Sequence, residues 1–265
     1  MTQQANGFLE ASNALFALLE PVAEADFSRP TQFKGWTIDD VLGHLHMWNV
    51  GADLSLSDAD EFMRFVQRYR ETLAGGESRQ DYTRRWLEGR AGSELLQLWH
   101  RYCAGMAERF NASDPKARVK WVGPDMSVRS SITARQMETW AHGQEAFDLL
   151  GAERSDTDSI KNIAVLGVNT FGWTFANRKL PAPSPVPHVR LTAPSGAVWE
   201  WNTPDEANRI EGSAVEFCQV VTQVRNIGDT RLKVSGQSAE RWMSIAQCFA
   251  GEPNDPPPTG SRFRK

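Results

Sequence analysis

The sequence predicts a mainly α-helical protein, in which an N-terminal helical bundle precedes a smaller α/β domain. Helical periodicity of apolar residues dominates the chain up to about residue 180. Four prolines then fall within Pro181–Pro187, a density that neither a helix interior nor a central strand accommodates. Strand-like runs interleaved with short helical stretches follow. We therefore expect two domains, residues 1–180 and residues 181–265.

The first half contains several segments with helical spacing. In the clearest one, Thr37 is the expected N-cap with Asp40 as its capping-box partner, and an apolar stripe follows at Ile38, Val41, Leu42, Leu45 and Trp48. A second capped helix is expected to begin at Thr133, with Gln136 as partner, and to end at Gly151. The other expected helices cover residues 3–24, 58–73, 93–110 and 159–177, and residues 111–131 are expected to form a loop.

The second half reads as a small α+β or α/β unit. Strands are expected over residues 188–192, 198–202 and 231–234, and helices near residues 213–223 and 238–249.

Composition narrows the class of protein. The 265 residues are 40% hydrophobic and 23% charged, with a net charge of -4, which is ordinary for a globular protein and argues mildly against nucleic-acid binding. No signal-peptide pattern and no apolar run of about 20 residues is present, so we expect a cytoplasmic protein without membrane contact. Cys103, Cys218 and Cys248 are far apart and are expected to be free thiols.

The candidate chemistry centres on three of the polar residues. Glu138 and His142 are four positions apart on one helix, so they lie on the same face and can supply two ligands of one metal ion. His44, on the helix that follows Trp36, is the candidate for a third ligand, which would leave one position open. Such a set suits zinc, nickel, iron or manganese.

A structural alternative remains open at this point. Because Met137, Trp140 and Phe147 lie on the opposite side of their helix, Glu138 and His142 could belong to a solvated face. His44 and His46 flank an apolar stripe on opposite edges, so periodicity does not decide which turns inward. His100 and His188 have no partner by spacing, and we interpret them as structural.

A resemblance to a known family separates these alternatives. The run Trp36-Thr-Ile-Asp-Asp-Val-Leu-Gly-His44-Leu resembles the Trp-x7-His-Leu signature of the DinB-like superfamily, and within it the branch of mycothiol-dependent maleylpyruvate isomerases. The later Glu138-x3-His142 pair is similar to the second part of that signature. Ile210–Cys218 and Leu232–Gly236 resemble the small C-terminal domain of the branch.

The resemblance implies an up-down four-helix bundle with a sterol-carrier-like α/β domain, and a divalent metal held by His44, Glu138 and His142. Zinc is the expected ion. The branch also places a functional arginine in a Gly-Arg after the last helix, whereas this chain reads Phe249-Ala-Gly-Glu-Pro, and Arg225 and Arg231 do not match that motif. Maleylpyruvate isomerisation is therefore not transferred, and we expect a sister group of metal-binding members.

Two classes of function follow. The first is a metal-dependent enzyme on a small-molecule substrate, either a transferase or isomerase that uses a low-molecular-weight thiol or a hydrolase. Glu145, one turn past His142, is a candidate for proton transfer, against the alternative of a solvated surface glutamate. The second class is a non-catalytic protein that binds a metal or an apolar ligand. A homodimer and a monomer both stay open.

Overall fold

A computed structural model describes residues 2–263 of the chain, which divide into two compact units, one up to Ala152 and one from Glu153 onward. The first unit is a four-helix bundle with two shorter helices beside it. Its long helices are α1 (Gln3–Leu19), α2 (Ile38–Ser57), α5 (Gly92–Ala112) and α6 (Val128–Leu149); the shorter ones are α3 (Ala59–Ala74) and α4 (Arg79–Trp86).

The bundle core lies between the four long helices. Helices α1 and α2 each pack against both α5 and α6. The buried side chains include Phe8, Leu42, Leu45, Trp99 and Met106, each at most 1% exposed. A second apolar cluster lies between α2, α3 and α4 and is built on Met47, Trp48, Phe62, Phe65, Val66 and Tyr82. This burial of aliphatic and aromatic surface is the main stabilising contribution to the bundle.

Helix α6 begins earlier than the sequence predicts. The expected loop over 111–131 contains a short antiparallel ribbon, β1 (Arg118–Val119) with β2 (Met126–Ser127), and the helix starts directly after it. Ser127 is the N-cap, because its hydroxyl accepts a hydrogen bond from the backbone N–H of Ser130. The prediction of an N-cap at Thr133 was wrong, since Thr133 is a buried residue inside α6. The predicted end is confirmed by Gly151, at φ +66°.

The second unit combines short helices with a four-stranded sheet. The strands are β3 (His188–Thr192), β4 (Val198–Trp201), β5 (Arg209–Ser213) and β6 (Lys233–Ser235), in the order β4-β3-β5-β6. Strands β3 and β5 are parallel, and the other neighbours are antiparallel. The helices are α7 (Lys161–Asn169), α8 (Phe171–Asn177), α9 (Ala214–Val221) and α10 (Gln237–Met243).

The division between the units falls before α7, whereas the proline-rich segment predicts a boundary at residue 181. Helices α7 and α8 pack within the second unit. A Cβ added at Gly167 would lie 2.8 Å from Val221 on α9, and the rings of Phe171 and Trp242 are in edge contact. The proline-rich segment therefore joins α8 to β3 inside this unit.

Other differences concern short elements. The helix expected over 159–177 is interrupted at Thr170, whose hydroxyl donates to the carbonyls of Leu166 and Gly167. Helix α4 and strand β5 were not predicted. Of the described residues, none belongs to a helix that is both long and apolar enough to cross a bilayer.

Candidate metal centre

Helix α2 holds His44 in place through its capped N-terminus. The hydroxyl of Thr37 accepts a hydrogen bond from the backbone N–H of Asp40, and the Asp40 carboxylate accepts one from the backbone N–H of Thr37, both at 3.1 Å. The predicted capping box is thus confirmed. Asp40 also accepts two hydrogen bonds from Arg84 on α4, each at 3.0 Å. His44 follows two turns into this anchored helix.

Helix α6 supplies the other two candidate ligands. It is buried on nearly every side, so Glu138 and His142 do not lie on a solvated face. Their side chains are 22% and 16% exposed, respectively. The i, i+4 spacing stacks them on the side of α6 that meets α2, and α2 and α6 are packed neighbours in the bundle.

The imidazoles of His44 and His142 both approach one carboxylate oxygen of Glu138. Glu138 Oε2 lies 3.1 Å from His44 Nε2 and 3.3 Å from His142 Nε2. Ligand atoms of all three residues lie within 4.8 Å of one another. Two ligand atoms of a tetrahedral ion at about 2.0–2.2 Å are themselves separated by about 3.3–3.6 Å. The two distances to Glu138 Oε2 are close to this separation, and the three residues form a group that could hold one small divalent cation.

Aromatic side chains enclose the two imidazoles. The ring of Trp36 lies nearly parallel to that of His142, at 4° and 5.6 Å between centroids, and meets His44 at a steep angle. Phe33 contacts His142 edge-on, at 5.1 Å. Both aromatic residues come from the loop before α2, in which Lys34 and Gly35 have positive φ values. These walls restrict the orientation of the imidazole rings.

Burial and hydrogen bonding together set the protonation states of His44 and Glu138. Burial lowers the pKa of His44 to about 4, although the hydrogen bond to the Glu138 carboxylate acts in the opposite direction. For Glu138, burial raises the pKa, but its hydrogen bonds with His142 and His44 outweigh that effect and hold the pKa well below its ordinary value. At neutral pH His44 is neutral and Glu138 is ionised, which are the forms that bind a metal.

A buried polar chain lies behind the ligands and was not found from the sequence. Arg135, one turn before Glu138 on α6, is 2% exposed. Its Nε donates to Oδ1 of Asn49 at 2.9 Å, and the amide of Asn49 donates to the sulfur of Cys103 at 3.3 Å. The available signals were the positions of Arg135 and Asn49, three residues before Glu138 and five after His44. Asn49 lies four residues after Leu45 on the apolar stripe of α2, so periodicity already favours its burial. Arg135 shares a helix face with Glu138 and His142, and that face reads as polar.

The remaining histidines lie away from the three-residue set. His46 is buried on the other side of α2, against Trp86 and Tyr102. His100 stacks on Phe16 and lies 2.8 Å from the side-chain oxygen of Asn13. His188 is buried in β3 of the second unit.

Glu145 and the cysteines also have defined positions. Glu145 is 2% exposed on α6 and so is not a surface glutamate, but it is outside the three-residue set. Cys103, Cys218 and Cys248 are buried thiols outside any disulfide, as expected. Burial raises the pKa of Cys103 to about 12, so this thiol is protonated at neutral pH and is a poor nucleophile.

The donor set fits a divalent ion of the zinc type. Two imidazole nitrogens and one carboxylate oxygen are typical of catalytic zinc sites that keep one position open. They equally suit nickel, iron or manganese. Metal binding itself stays a prediction.

Comparisons with known proteins agree with the fold and with the family resemblance. The model of the mycothiol maleylpyruvate isomerase N-terminal domain matches residues 8–147. An uncharacterized protein of Mycobacterium tuberculosis, present in two strains, is 36% identical over 242 residues, which cover 91% of this chain and 93% of the relative.

Two solved structures share the architecture. Crystal structures of a mycothiol-dependent maleylpyruvate isomerase and of a substituted variant superpose with a TM-score of 0.53, at 14% and 13% identity. The superposition covers 83% of this chain and 88% of theirs. At this identity the likeness establishes the fold, a mainly α protein with a small α/β domain. Because the domain model matches more than half of the residues of this chain, the chain belongs to the mycothiol maleylpyruvate isomerase N-terminal domain family.

Proposed function

We propose that this protein is a divalent-metal enzyme that uses a low-molecular-weight thiol as co-substrate in a transfer or isomerisation reaction on a small electrophile. The observation that carries the proposal is the convergence of His44, Glu138 and His142 on one carboxylate oxygen, with Nε2–Oε2 distances of 3.1 and 3.3 Å. The proposed ion is zinc. Membership in a family named for a thiol-dependent isomerase supports the choice of a thiol.

The three ligands would leave a fourth position for a reacting group. A divalent ion held there lowers the pKa of a bound thiol or water and so maintains a nucleophile at neutral pH. The chain's own residues keep the ligands in their binding form, because His44 is neutral and Glu138 ionised at pH 7. Trp36 and Phe33 contact the ring of His142 and restrict its orientation.

In the proposed reaction the thiol sulfur forms a bond to an electron-poor carbon of an enone, and the proton lost from sulfur is returned to the neighbouring carbon. Isomerisation follows when, after rotation about the former double bond, a proton is removed from that carbon and returned to sulfur as the same S–C bond breaks, so the thiol is regenerated and no oxidant or reductant is needed. Glu145 is our candidate for moving that proton, since it lies buried on α6 one turn from His142. Maleylpyruvate is not proposed as the substrate, because Gly251 is followed by Glu252 where an arginine was expected.

The test is a thiol-dependence assay on the full chain loaded with Zn²⁺. A panel of mycothiol, glutathione and cysteine is offered with enone and acyl electrophiles, and loss of the electrophile is followed with and without chelator. We expect turnover that requires both metal and thiol and disappears in His142→Ala. Metal-dependent turnover of acyl compounds without thiol would indicate the alternative, a hydrolase. Stoichiometric metal with no turnover would favour a non-catalytic binding protein.

A further inference from the structure

Arg135 is a buried cation whose guanidinium is only partly satisfied. The group carries five N–H donors, of which Nε–H donates to Asn49. The Nη2 nitrogen is buried and has no hydrogen-bond partner among residues 2–263. Burying a guanidinium is strongly unfavourable unless an opposite charge lies close by. A purely structural link to Asn49 does not explain why a charged side chain occupies this position.

The compensating charge is that of Glu138, one turn along the same helix. Burial lowers the pKa of Arg135, and the negative charge of Glu138 acts against that shift. Arg135 in turn disfavours a proton on His44. The geometry agrees: Arg135 lies one turn before Glu138 on α6, and its hydrogen-bond partner Asn49 lies on α2, the helix that carries His44. Without a metal, the charges of Arg135 and Glu138 offset each other in the bundle interior.

A divalent ion changes this balance. Once Glu138 holds the ion, its single negative charge faces two positive charges from the metal and one from Arg135. The interior then carries uncompensated positive charge, which is strongly unfavourable in a medium of low dielectric constant. A neutral ligand at the open position leaves that charge in place, whereas an anion reduces it.

We propose that Arg135 is a specificity-determining residue that makes the centre take anionic ligands, thiolates and carboxylates, in preference to neutral ones. The inference rests on the proposed function, because it needs an ion on His44, Glu138 and His142. It goes beyond the proposed function by stating that the molecule at the open position is negatively charged. Asn49 is the positioning residue that holds the guanidinium beside the ligands through its 2.9 Å hydrogen bond.

The experiment measures ligand affinity on the full chain loaded with Co²⁺, whose visible absorption reports a change at the fourth position. Azide is the anionic probe and imidazole the neutral one. Asn49→Asp retains the acceptor for Arg135 and adds a negative charge, Arg135→Met removes the positive charge, and Arg135→Lys retains it. We expect Asn49→Asp and Arg135→Met to weaken azide binding by about tenfold or more. Imidazole binding should change little, and Arg135→Lys should resemble the wild type.

The outcomes separate this inference from the proposed function. Azide and imidazole affinities that fall together, or an azide affinity unchanged in Asn49→Asp, would overturn the role of Arg135 while the metal centre stands. Because Asn49→Asp is nearly isosteric, it decides the matter even when Arg135→Met does not fold. A wild-type chain that binds no Co²⁺ would overturn the metal centre and this inference together.

Discussion

His44 and Glu138 are 94 positions apart in the sequence, and their Nε2 and Oε2 atoms lie 3.1 Å apart in the bundle. The contact joins α2 to α6, and His142 completes it from one turn further along α6. In this partly buried site one carboxylate oxygen contacts two imidazole nitrogens. A cation can take the place of the shared protons between these atoms while the backbone stays where it is. The first prediction follows from this geometry.

We expect His44→Ala and His142→Ala to lose stoichiometric metal, since two remaining ligands bind a divalent ion weakly. Elemental analysis of the purified chains measures this directly, with about one ion per chain expected in the wild type. His46→Ala is the matched control, because His46 lies on the same helix but contacts Trp86 and Tyr102 instead. Full metal content in folded His142→Ala would rule out the ligand assignment.

Much of this site could be predicted from local sequence. The i, i+4 spacing pairs Glu138 with His142, but spacing left a solvated face open, and the resemblance to the DinB-like signature selected these two residues together with His44. The structure brings the three side chains together. These signals are local because each part of the signature lies on one helix or at its N-terminus. The fold class was likewise accessible, since the bundle helices α1, α2 and α5 have regular apolar stripes.

The features that were not predicted depend on tertiary contacts, which the periodicity of the sequence does not show. Helix α6 is buried on nearly all sides, so its polar residues, Arg135 among them, read as a surface. Strand β5 carries Glu211 and Gly212, which are unfavourable in isolated strands, and pairing with β3 and β6 stabilises it. The boundary at residue 181 followed a local proline signal, whereas packing against α9 places α7 in the second unit.

The second prediction concerns Trp36 as the aromatic wall behind His142. We expect Trp36→Leu to lower metal affinity about tenfold, because groups that orient a ligating histidine typically contribute 10–100-fold. Trp36→Phe retains a ring against His142 and should lie close to the wild type. Affinity is measured by competition with a chelating dye.

Trp48→Leu is the matched control for this prediction. Trp48 is buried to the same degree as Trp36 but belongs to the cluster with Phe65 and Tyr69. The Trp48→Leu variant should lose about as much stability as Trp36→Leu while it retains the metal affinity of the wild type. Equal affinity losses in Trp36→Leu and Trp48→Leu would mean that general loosening of the bundle, and not the wall, is responsible.

The third prediction concerns the cap that anchors the His44 helix. Thr37→Ala removes the side-chain acceptor for the backbone N–H of Asp40 and should lower the free energy of unfolding by about 1 kcal/mol. Urea titration followed by circular dichroism measures it. Ser78→Ala removes the equivalent N-cap of α4 and serves as control. Only Thr37→Ala should also weaken metal binding, since α2 carries a ligand and α4 does not; an identical metal affinity in both variants would contradict the link.

The fourth prediction is a pH dependence that originates at His46. Burial, with a smaller contribution from the charge of Arg90, lowers the pKa of His46 from 6.5 to about 4. Between these values the unfolded chain binds a proton that the folded chain does not. The free energy of unfolding therefore falls as the pH falls from about 6.5 towards 4, and this loss is absent above that window.

His46→Gln does not titrate and should escape this loss. Between pH 7 and pH 5, metal-free wild type is expected to lose about 2 kcal/mol more stability than His46→Gln. His44 titrates in both chains, so its contribution cancels in the comparison. His100→Gln is the control, and its effect should be smaller because that imidazole is only partly buried. Urea titrations at the two pH values give the difference. Parallel losses in wild type and His46→Gln would show that folding does not lower the pKa of His46 and would contradict this prediction.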